Sequence, residues 1–151
     1  MIYWFTGQPG TGKTTLAAAW AIHLRSIGNP VAHIDGDTLR AMTGNTDYTR
    51  EGRRRNVVLA QQLASLFAYE GMDVCVSMVS PDRDVRERFK QRGGVREIFL
   101  QCDPPHCKAD FKCVEYAKPI GGRDAFLLLN TNALSVSECL NMMIHLLQSA
   151  A

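Results

Sequence analysis

The feature that most constrains the fold of this chain is a glycine-rich stretch close to its N-terminus. Residues 7–14 have the sequence G-Q-P-G-T-G-K-T, which fits the pattern G-x-x-x-x-G-K-[ST] of a phosphate-binding loop, or P-loop. An apolar run at 2–5 precedes the stretch, and a second run at 16–22 follows it. The first run predicts a buried strand and the second predicts a helix. The glycines therefore fall in the turn between a strand and a helix N-terminus.

Such a turn is suited to binding a nucleoside triphosphate. Its successive backbone N–H groups point at one spot, and the helix N-terminus adds partial positive charge there. We expect Lys13 to reach the β- and γ-phosphates and the Thr14 hydroxyl to bind Mg²⁺. The residues predicted to bind ATP are Gly7, Gln8, Pro9, Gly10, Thr11, Gly12, Lys13, Thr14 and Thr15.

Strand and helix signals alternate along the rest of the chain. Apolar runs predict further strands at 31–34, 74–79, 95–101 and 125–129, and sequence patterns at 50–69, 82–91 and 135–149 predict helices. This alternation favours the P-loop NTPase fold, a three-layer α/β/α arrangement in which a five-stranded parallel sheet has helices on both faces. No internal repeat or linker interrupts the 151 residues, so we expect one domain over 1–151.

Composition and hydropathy indicate the cellular compartment of such a protein. No apolar run approaches the roughly 20 residues that span a bilayer, and no charged region precedes the first apolar segment. The five cysteines, an odd number, favour reduced thiols, and together these features predict a cytoplasmic protein. Cys102, His106, Cys107 and Cys113 lie close together in sequence, but their spacing lacks the C-x2-C pair that is typical of structural zinc sites.

Two aspartates follow the second predicted strand. In a parallel sheet, ligands bind beyond the carboxyl ends of the strands, so Asp35 and Asp37 are predicted to face the γ-phosphate. A carboxylate there could accept a hydroxyl proton from a phosphoryl acceptor, and Arg40 could hold an anionic acceptor. The alternative role for either aspartate is to cap the next helix. We predict a catalytic or Mg²⁺-binding role for at least one of them, and the sequence does not decide which is the base.

The ordered motifs resemble the adenylylsulfate kinase (APS kinase) family. They are the P-loop, D-G-D-T-L-R at 35–40, Y-T-x-x-G-R-x-x-N at 48–56 and V-S-P-D-R at 79–83. The resemblance covers roughly 2–101, with a weaker similarity at 126–149. It implies ATP-dependent phosphorylation of the 3′-hydroxyl of adenosine 5′-phosphosulfate (APS).

The resemblance also implies roles for individual residues. It makes Asp37 the catalytic aspartate, and it places Tyr48 where the family usually has a Phe that packs on the substrate adenine. The residues implied to bind the acceptor are Asp37, Arg40, Tyr48, Arg53, Asn56, Val79 and Ser80. Arg40, Arg53 and Asn56 would hold its phosphosulfate and ribose. Many members of the family form homodimers, but the sequence does not decide the oligomeric state.

The chain departs from the family pattern in two places. Gly52 stands where the family usually carries an acidic residue just before the arginine. The lid-like segment at about 103–124 is shortened, and it lacks the Phe expected to cover the adenine. Lys112, Lys118 or Arg123 could still supply positive charge to this lid.

Two alternatives to an APS kinase stay open. One is a P-loop kinase acting on another hydroxyl, in a nucleoside, a sugar, or a modified base or end of a polynucleotide. Ten of the 17 basic residues lie between 50 and 96, but aromatic residues do not alternate with them as in single-strand binding proteins, so nucleic acid is not favoured. The other is a non-catalytic ATP-binding module, which would not need both Asp35 and Asp37.

Overall fold

A computed structural model describes residues 1–102, 113–119 and 126–148. The strands are β1 (Ile2–Thr6), β2 (Val31–Asp35), β3 (Asp73–Ser77), β4 (Val95–Gln101) and β5 (Leu127–Asn130). They form one parallel sheet in the order β2-β3-β1-β4-β5. The first strand lies at the centre, so the turn that follows it opens onto the middle of the carboxyl edge.

Helices cover both faces of this sheet. They are α1 (Lys13–Ser26), α2 (Gly36–Thr43), α3 (Arg50–Tyr69), α4 (Arg83–Lys90) and α5 (Val136–Gln148). Helices α1 and α5 contribute to the core on one face, and α2, α3 and α4 contribute to the core on the other. The predicted five-stranded parallel sheet between two helical layers is therefore confirmed.

The central strand shows why its sequence is apolar throughout. Tyr3 and Phe5 pack into the core that α1 and α5 cover, whereas Ile2 and Trp4 pack into the core beneath α3 and α4. All five residues of the strand are buried. A strand with a helical layer on each face has no solvent side, so polar and apolar residues do not alternate along it.

Several predicted boundaries were wrong by a few residues. Strand β3 ends at Ser77 because the chain then turns, and the Ser80 N–H donates to the Met78 carbonyl. Strand β5 begins later than predicted because its pairing with β4 starts between Leu127 and Ile98. The predicted helix at 50–69 matches α3, and the predicted helix at 82–91 is shorter by one residue at both ends. Helix α5 begins one residue later than the predicted 135–149, whose last residue lies outside the described ranges.

The described thiols and helices bear on two expectations from composition. Cys75, Cys102, Cys113 and Cys139 are free thiols, and the reduced state that the sequence favours stays a prediction. Within residues 1–102, 113–119 and 126–148, no helix combines the length and the apolar character that crossing a membrane requires.

A buried ion pair joins α4 to the sheet. Arg86 is 2% exposed and Glu97 is 1% exposed, and Nε of Arg86 donates to Oε1 of Glu97 over 2.6 Å. Lys90 donates to the other carboxylate oxygen over 2.7 Å. The remaining guanidinium N–H groups donate to the carbonyls of Ser80, Pro81 and Ala117. The arginine thereby joins α4, β4 and two connecting segments.

We expect Arg86→Ala to lower the free energy of unfolding by about 3–5 kcal/mol, because Glu97 would be left as a buried carboxylate without its guanidinium partner. Arg88 on the same helix is the matched control, since its pair with Asp84 is exposed and Arg88→Ala should cost less than about 1 kcal/mol. Urea denaturation measures both values. Equal losses in the two variants would contradict the assigned role of the buried pair.

Candidate functional site

The P-loop lies between β1 and α1, and its conformation explains its glycines. Gly10 and Gly12 have φ angles of 81° and 87°, in the left-handed region that favours glycine. A Cβ on Gly7 would collide with the carbonyl oxygen of Leu100 on the neighbouring strand. Gly12 caps α1, and no side chain in the described ranges caps this helix. The N–H groups of its first turn are therefore available to an anionic ligand.

The two reactive side chains of the loop have defined partners. Nζ of Lys13 donates to the carbonyl oxygen of Gln8 over 2.6 Å, so its amine lies over the loop itself. The Thr14 hydroxyl donates to Oδ1 of Asp35 over 2.8 Å. The P-loop and the end of β2 thus meet at the same edge of the sheet, as the sequence predicts.

Asp35 is the more constrained of the two aspartates. Oδ1 accepts from Thr14 and from Ser77, and Oδ2 accepts from the backbone N–H groups of Asp37 and Thr38. Partial burial raises the pKa of the Asp35 carboxyl, but these hydrogen bonds outweigh burial and bring its pKa below the ordinary value. Asp35 is therefore an anionic N-cap of α2, which confirms the capping interpretation for one of the pair.

Asp37 has different surroundings. It lies in the first turn of α2 and is exposed, and its carboxylate has no hydrogen-bond or ion-pair partner within residues 1–102, 113–119 and 126–148. Gly36 lets this turn lie close to the chain just after β3, because a Cβ on residue 36 would lie 2.7 Å from Cβ of Met78. The D-G-D segment therefore directs one carboxylate into a hydrogen-bond network and leaves the other open.

Two of the residues implied to bind the acceptor lie against the aromatic ring of a third. The Arg40 guanidinium lies 4.3 Å from the ring centroid of Tyr48, and the Arg53 guanidinium lies 5.6 Å from it. Nε of Arg53 also donates to the Tyr48 carbonyl over 3.0 Å. The ring is 60% exposed, whereas Arg40 is buried. We call Arg40, Tyr48 and Arg53 the acceptor wall.

The other implied acceptor residues lie deeper. Nδ2 of buried Asn56 donates to the Gly36 carbonyl over 3.2 Å, and Oδ1 of Asn56 has no partner among the described residues. Ser80 is 1% exposed and accepts from Nε1 of Trp4 through its hydroxyl. The Ser80 N–H and C=O are also bonded within the protein. Contacts of Ser80 and half-buried Val79 with an acceptor remain predictions.

Sequence reasoning missed a clamp between the P-loop and a distant segment. The Gln8 side chain donates to the Cys113 carbonyl over 2.9 Å and accepts from the Cys113 N–H over 2.8 Å. Nearby, the hydroxyls of Tyr116 and Thr6 are 2.8 Å apart. Burial raises the pKa of Tyr116 to about 12, so this phenol stays protonated. Residues 8 and 113 are 105 positions apart, and no local pattern indicates their contact.

A cleft of about 270 Å³ beside the P-loop was also missed. Its lining includes Leu16 from α1, Thr131 and Leu134 from the connection between β5 and α5, and Val136 at the start of α5. The Thr131 hydroxyl lies 3.1 Å from the Thr11 carbonyl oxygen and so ties this connection to the P-loop. The apolar run at 125–129 predicts a strand there, but nothing in it indicates a pocket.

Part of the predicted lid and the cysteine cluster lies outside the described residues. Lys112, Arg123, His106 and Cys107 fall at 103–112 and 120–125, whereas Lys118 is described and exposed. In the part of the chain that the structure describes, no group of three or more His, Cys, Asp or Glu could hold a metal. The zinc interpretation therefore stays untested.

Known proteins resemble this chain in sequence and in fold. The model of the adenylylsulphate kinase family matches residues 1–123. An adenylyl-sulfate kinase from Chloroflexus aurantiacus is 31% identical over 98% of this chain and 89% of its own length. One from Picosynechococcus is 36% identical over 70% of this chain and 60% of its own length. The fold matches the APS kinase of Mycobacterium tuberculosis in complex with AMPPNP and APS, with a TM-score of 0.84 and 23% identity over 97% of this chain and 96% of that chain.

Proposed function

This chain belongs to the adenylylsulfate kinase family, and we propose that it transfers the γ-phosphate of ATP to the 3′-hydroxyl of APS. The products are 3′-phosphoadenylyl sulfate and ADP. One observation carries the proposal beyond family membership. The Asp37 carboxylate, which has no partner among the described residues, lies on the sheet edge that also carries the P-loop, and the acceptor wall follows it along the chain.

The P-loop and the cleft beside it hold ATP. The N–H groups at the start of α1 bind phosphate oxygens, and Lys13 exchanges the Gln8 carbonyl for the β- and γ-phosphates. The mostly apolar cleft beside Leu16 and Leu134 suits the adenine base. Cys113 contacts Gln8 of the loop and Thr131 contacts Thr11, so the segments around Cys113 and after β5 support the position of the loop.

The Thr14 hydroxyl and the Asp35 carboxylate fit Mg²⁺. Their oxygens lie 2.8 Å apart at the end of the loop, and Mg²⁺ prefers oxygen ligands of this kind. Thr14 would bind the ion directly, and Asp35 would orient Thr14 from behind. When bound, the ion neutralises charge on the β- and γ-phosphates.

Asp37 serves as the general base. A base needs a free lone pair, and the Asp37 carboxylate is exposed and unpartnered within the described ranges. Protonation of Asp35 would instead disrupt hydrogen bonds from Thr14, Ser77 and the N-terminus of α2. Asp37 therefore accepts the proton of the 3′-hydroxyl as the phosphoryl group is transferred.

The acceptor wall suits both ends of APS. The phosphosulfate is a dianion, which guanidinium groups bind through charge-assisted hydrogen bonds, and the adenine can stack on an exposed aromatic ring. Arg53 and Tyr48 are held together by a hydrogen bond and by ring contact. The unpartnered Oδ1 of Asn56 adds a buried acceptor for a hydroxyl of the ribose.

Arg53→Ala is expected to lower kcat/KM for APS by about 10- to 1000-fold, or about 1.4–4 kcal/mol, because the guanidinium binds the acceptor. The affinity for ATP should stay near the wild-type value. Arg54→Ala is the matched control, since Arg54 is next in sequence but its guanidinium faces Asp82 and Asp84. Steady-state kinetics with each substrate varied in turn measures these effects. If Arg53→Ala weakened ATP and APS equally, the acceptor site would lie elsewhere.

The experiment that tests the function is ADP release in a coupled assay with Mg-ATP and micromolar APS. A blank without acceptor measures ATP hydrolysis alone. We expect turnover that depends on APS and yields 3′-phosphoadenylyl sulfate. Intact ATP binding without stimulation by APS would exclude this acceptor and direct the search to nucleoside, sugar and polynucleotide hydroxyls.

A further inference from the structure

The start of α3 has an unusual cap. Thr49 is the N-cap, and its hydroxyl oxygen accepts from the Gly52 N–H over 3.2 Å. In a capping box, the side chain three residues after the cap accepts from the N–H of the cap in return. Gly52 occupies that position and has no side chain. The Thr49 N–H donates instead to Oδ1 of Asp47 over 2.9 Å, and the Thr49 hydroxyl donates to the same oxygen over 2.6 Å.

Asp47 and a side chain at position 52 compete for one volume. A Cβ built on Gly52 would collide with Cγ of Asp47 and with its backbone carbonyl. The second carboxylate oxygen of Asp47 accepts from Arg55 over 2.5 Å, one turn further along α3. In a capping box, the acceptor for the Thr49 N–H would be a side chain at residue 52 of the helix. Here that acceptor is the carboxylate of Asp47, in the preceding loop. This accounts in physical terms for the glycine at this position.

Asp47 also supports the acceptor wall, through contacts on both sides of Tyr48. The Asp47 carbonyl accepts from Nη1 of Arg40 over 2.8 Å, and Tyr48 is the next residue along the chain. The carboxylate fixes Thr49 on the other side of Tyr48. With both neighbours of Tyr48 held, its ring is kept against the guanidinium groups of Arg40 and Arg53.

We propose that Asp47 is the positioning residue of the acceptor site: by capping α3 in place of a side chain at 52, it orients Tyr48 and Arg53 towards APS. This inference rests on the proposed function. Asp47 does not contact the reacting atoms, so its effect passes through the acceptor wall and leaves the P-loop unchanged.

Four variants test the proposal by their KM for APS, with KM for ATP as the internal reference. Asp47→Ala should raise KM for APS about tenfold, because the cap and the wall lose their support. Gly52→Asp alone should also raise it, because the new side chain displaces Asp47. Asp47→Gly combined with Gly52→Asp should bring KM for APS back to within about threefold of wild type. Glycine at 47 removes the carboxylate and gives the backbone there the freedom to move its carbonyl away from the new Cβ, so an acid at 52 can complete the capping box. KM for ATP should change less than about twofold throughout.

Glu51→Ala is the matched control, because Glu51 is an exposed acid that pairs with the same Arg55 at 3.7 Å but does not bind the cap. It should leave KM for APS unchanged. Amide hydrogen exchange at Thr49 gives a readout that does not need the acceptor. Exchange should be faster in Asp47→Ala and slow again in the combined variant.

The outcomes separate this inference from the proposed function. A wild-type protein without APS-dependent turnover would contradict both. An active wild type whose KM for APS is unchanged in Asp47→Ala would overturn the role of Asp47 alone. Equal rises in KM for APS and KM for ATP in Asp47→Ala would also overturn it. The same holds if the combined variant recovers neither KM for APS nor slow amide exchange at Thr49.

Discussion

Lys13→Ala is expected to lower kcat/KM by about 10³-fold or more with any acceptor, because it removes the cation that the P-loop directs at the transferred phosphoryl group. Lys13 is 8% exposed, and its amine is held over the loop by the Gln8 carbonyl. It is therefore positioned before the phosphates arrive. A charge placed in advance stabilises the transition state without a cost of reorganisation.

The coupled ADP assay measures this loss, and thermal unfolding shows that the variant is folded. Lys13→Arg is the informative second variant because it keeps the charge. A guanidinium is a planar fork that does not fit where a compact ammonium donates to the Gln8 carbonyl, so most of the activity should stay lost. A Lys13→Ala protein that kept more than a tenth of wild-type turnover would show that the phosphates bind elsewhere.

Asp37→Asn is expected to lower kcat by about 10²- to 10⁴-fold, the usual contribution of a general base, with KM for ATP and APS little changed. The amide keeps the size of the side chain but cannot accept the proton. Glu70→Gln is the matched control, since it changes an exposed acid at the opposite end of α3 from the acceptor wall. It should be indistinguishable from wild type.

Asp35→Asn separates the two aspartates. It removes the anion that binds Thr14 and Ser77 and caps α2, so we expect lower stability and a higher Mg²⁺ requirement. Varying the Mg²⁺ concentration should restore part of the activity of Asp35→Asn and none of that of Asp37→Asn. If instead Mg²⁺ rescued Asp37→Asn, the roles of the two aspartates would be reversed.

Much of the architecture could be predicted because its signals are local. The apolar run at 2–5 and the glycines at 7, 10 and 12 predicted the central strand and the loop, and the structure shows the backbone conformations that require glycine. Helix α3 has the predicted bounds because its apolar residues repeat at helical spacing and a glycine follows its end. The start of β5 was missed because pairing with β4, and not its own apolar run, sets where a strand begins.

The residues of the site likewise fall into those that local motifs predict and those that only the fold brings together. The P-loop, the D-G-D segment and the arginines of the acceptor wall could be named from sequence, because each belongs to a motif of a few consecutive residues. The clamp between Gln8 and Cys113 and the cleft beside Leu134 could not be named, since their residues are distant in sequence. Only the structure shows that the Asp47 carboxylate fills the space that a side chain at position 52 would need.

By itself, the sequence determined that this protein binds a nucleoside triphosphate on a parallel α/β sheet, and its ordered motifs indicated the family. Those properties depend on turn chemistry and on the spacing of apolar residues, which are encoded within short stretches. The resemblance implied that Asp37 is the catalytic aspartate, but only the tertiary structure showed how the surroundings of Asp35 and Asp37 differ. Asp35 accepts hydrogen bonds from Thr14 and Ser77, which are 21 and 42 residues away, whereas Asp37 stays open to solvent. A carboxylate's role depends on which donors surround it, and packing brings those donors from other elements.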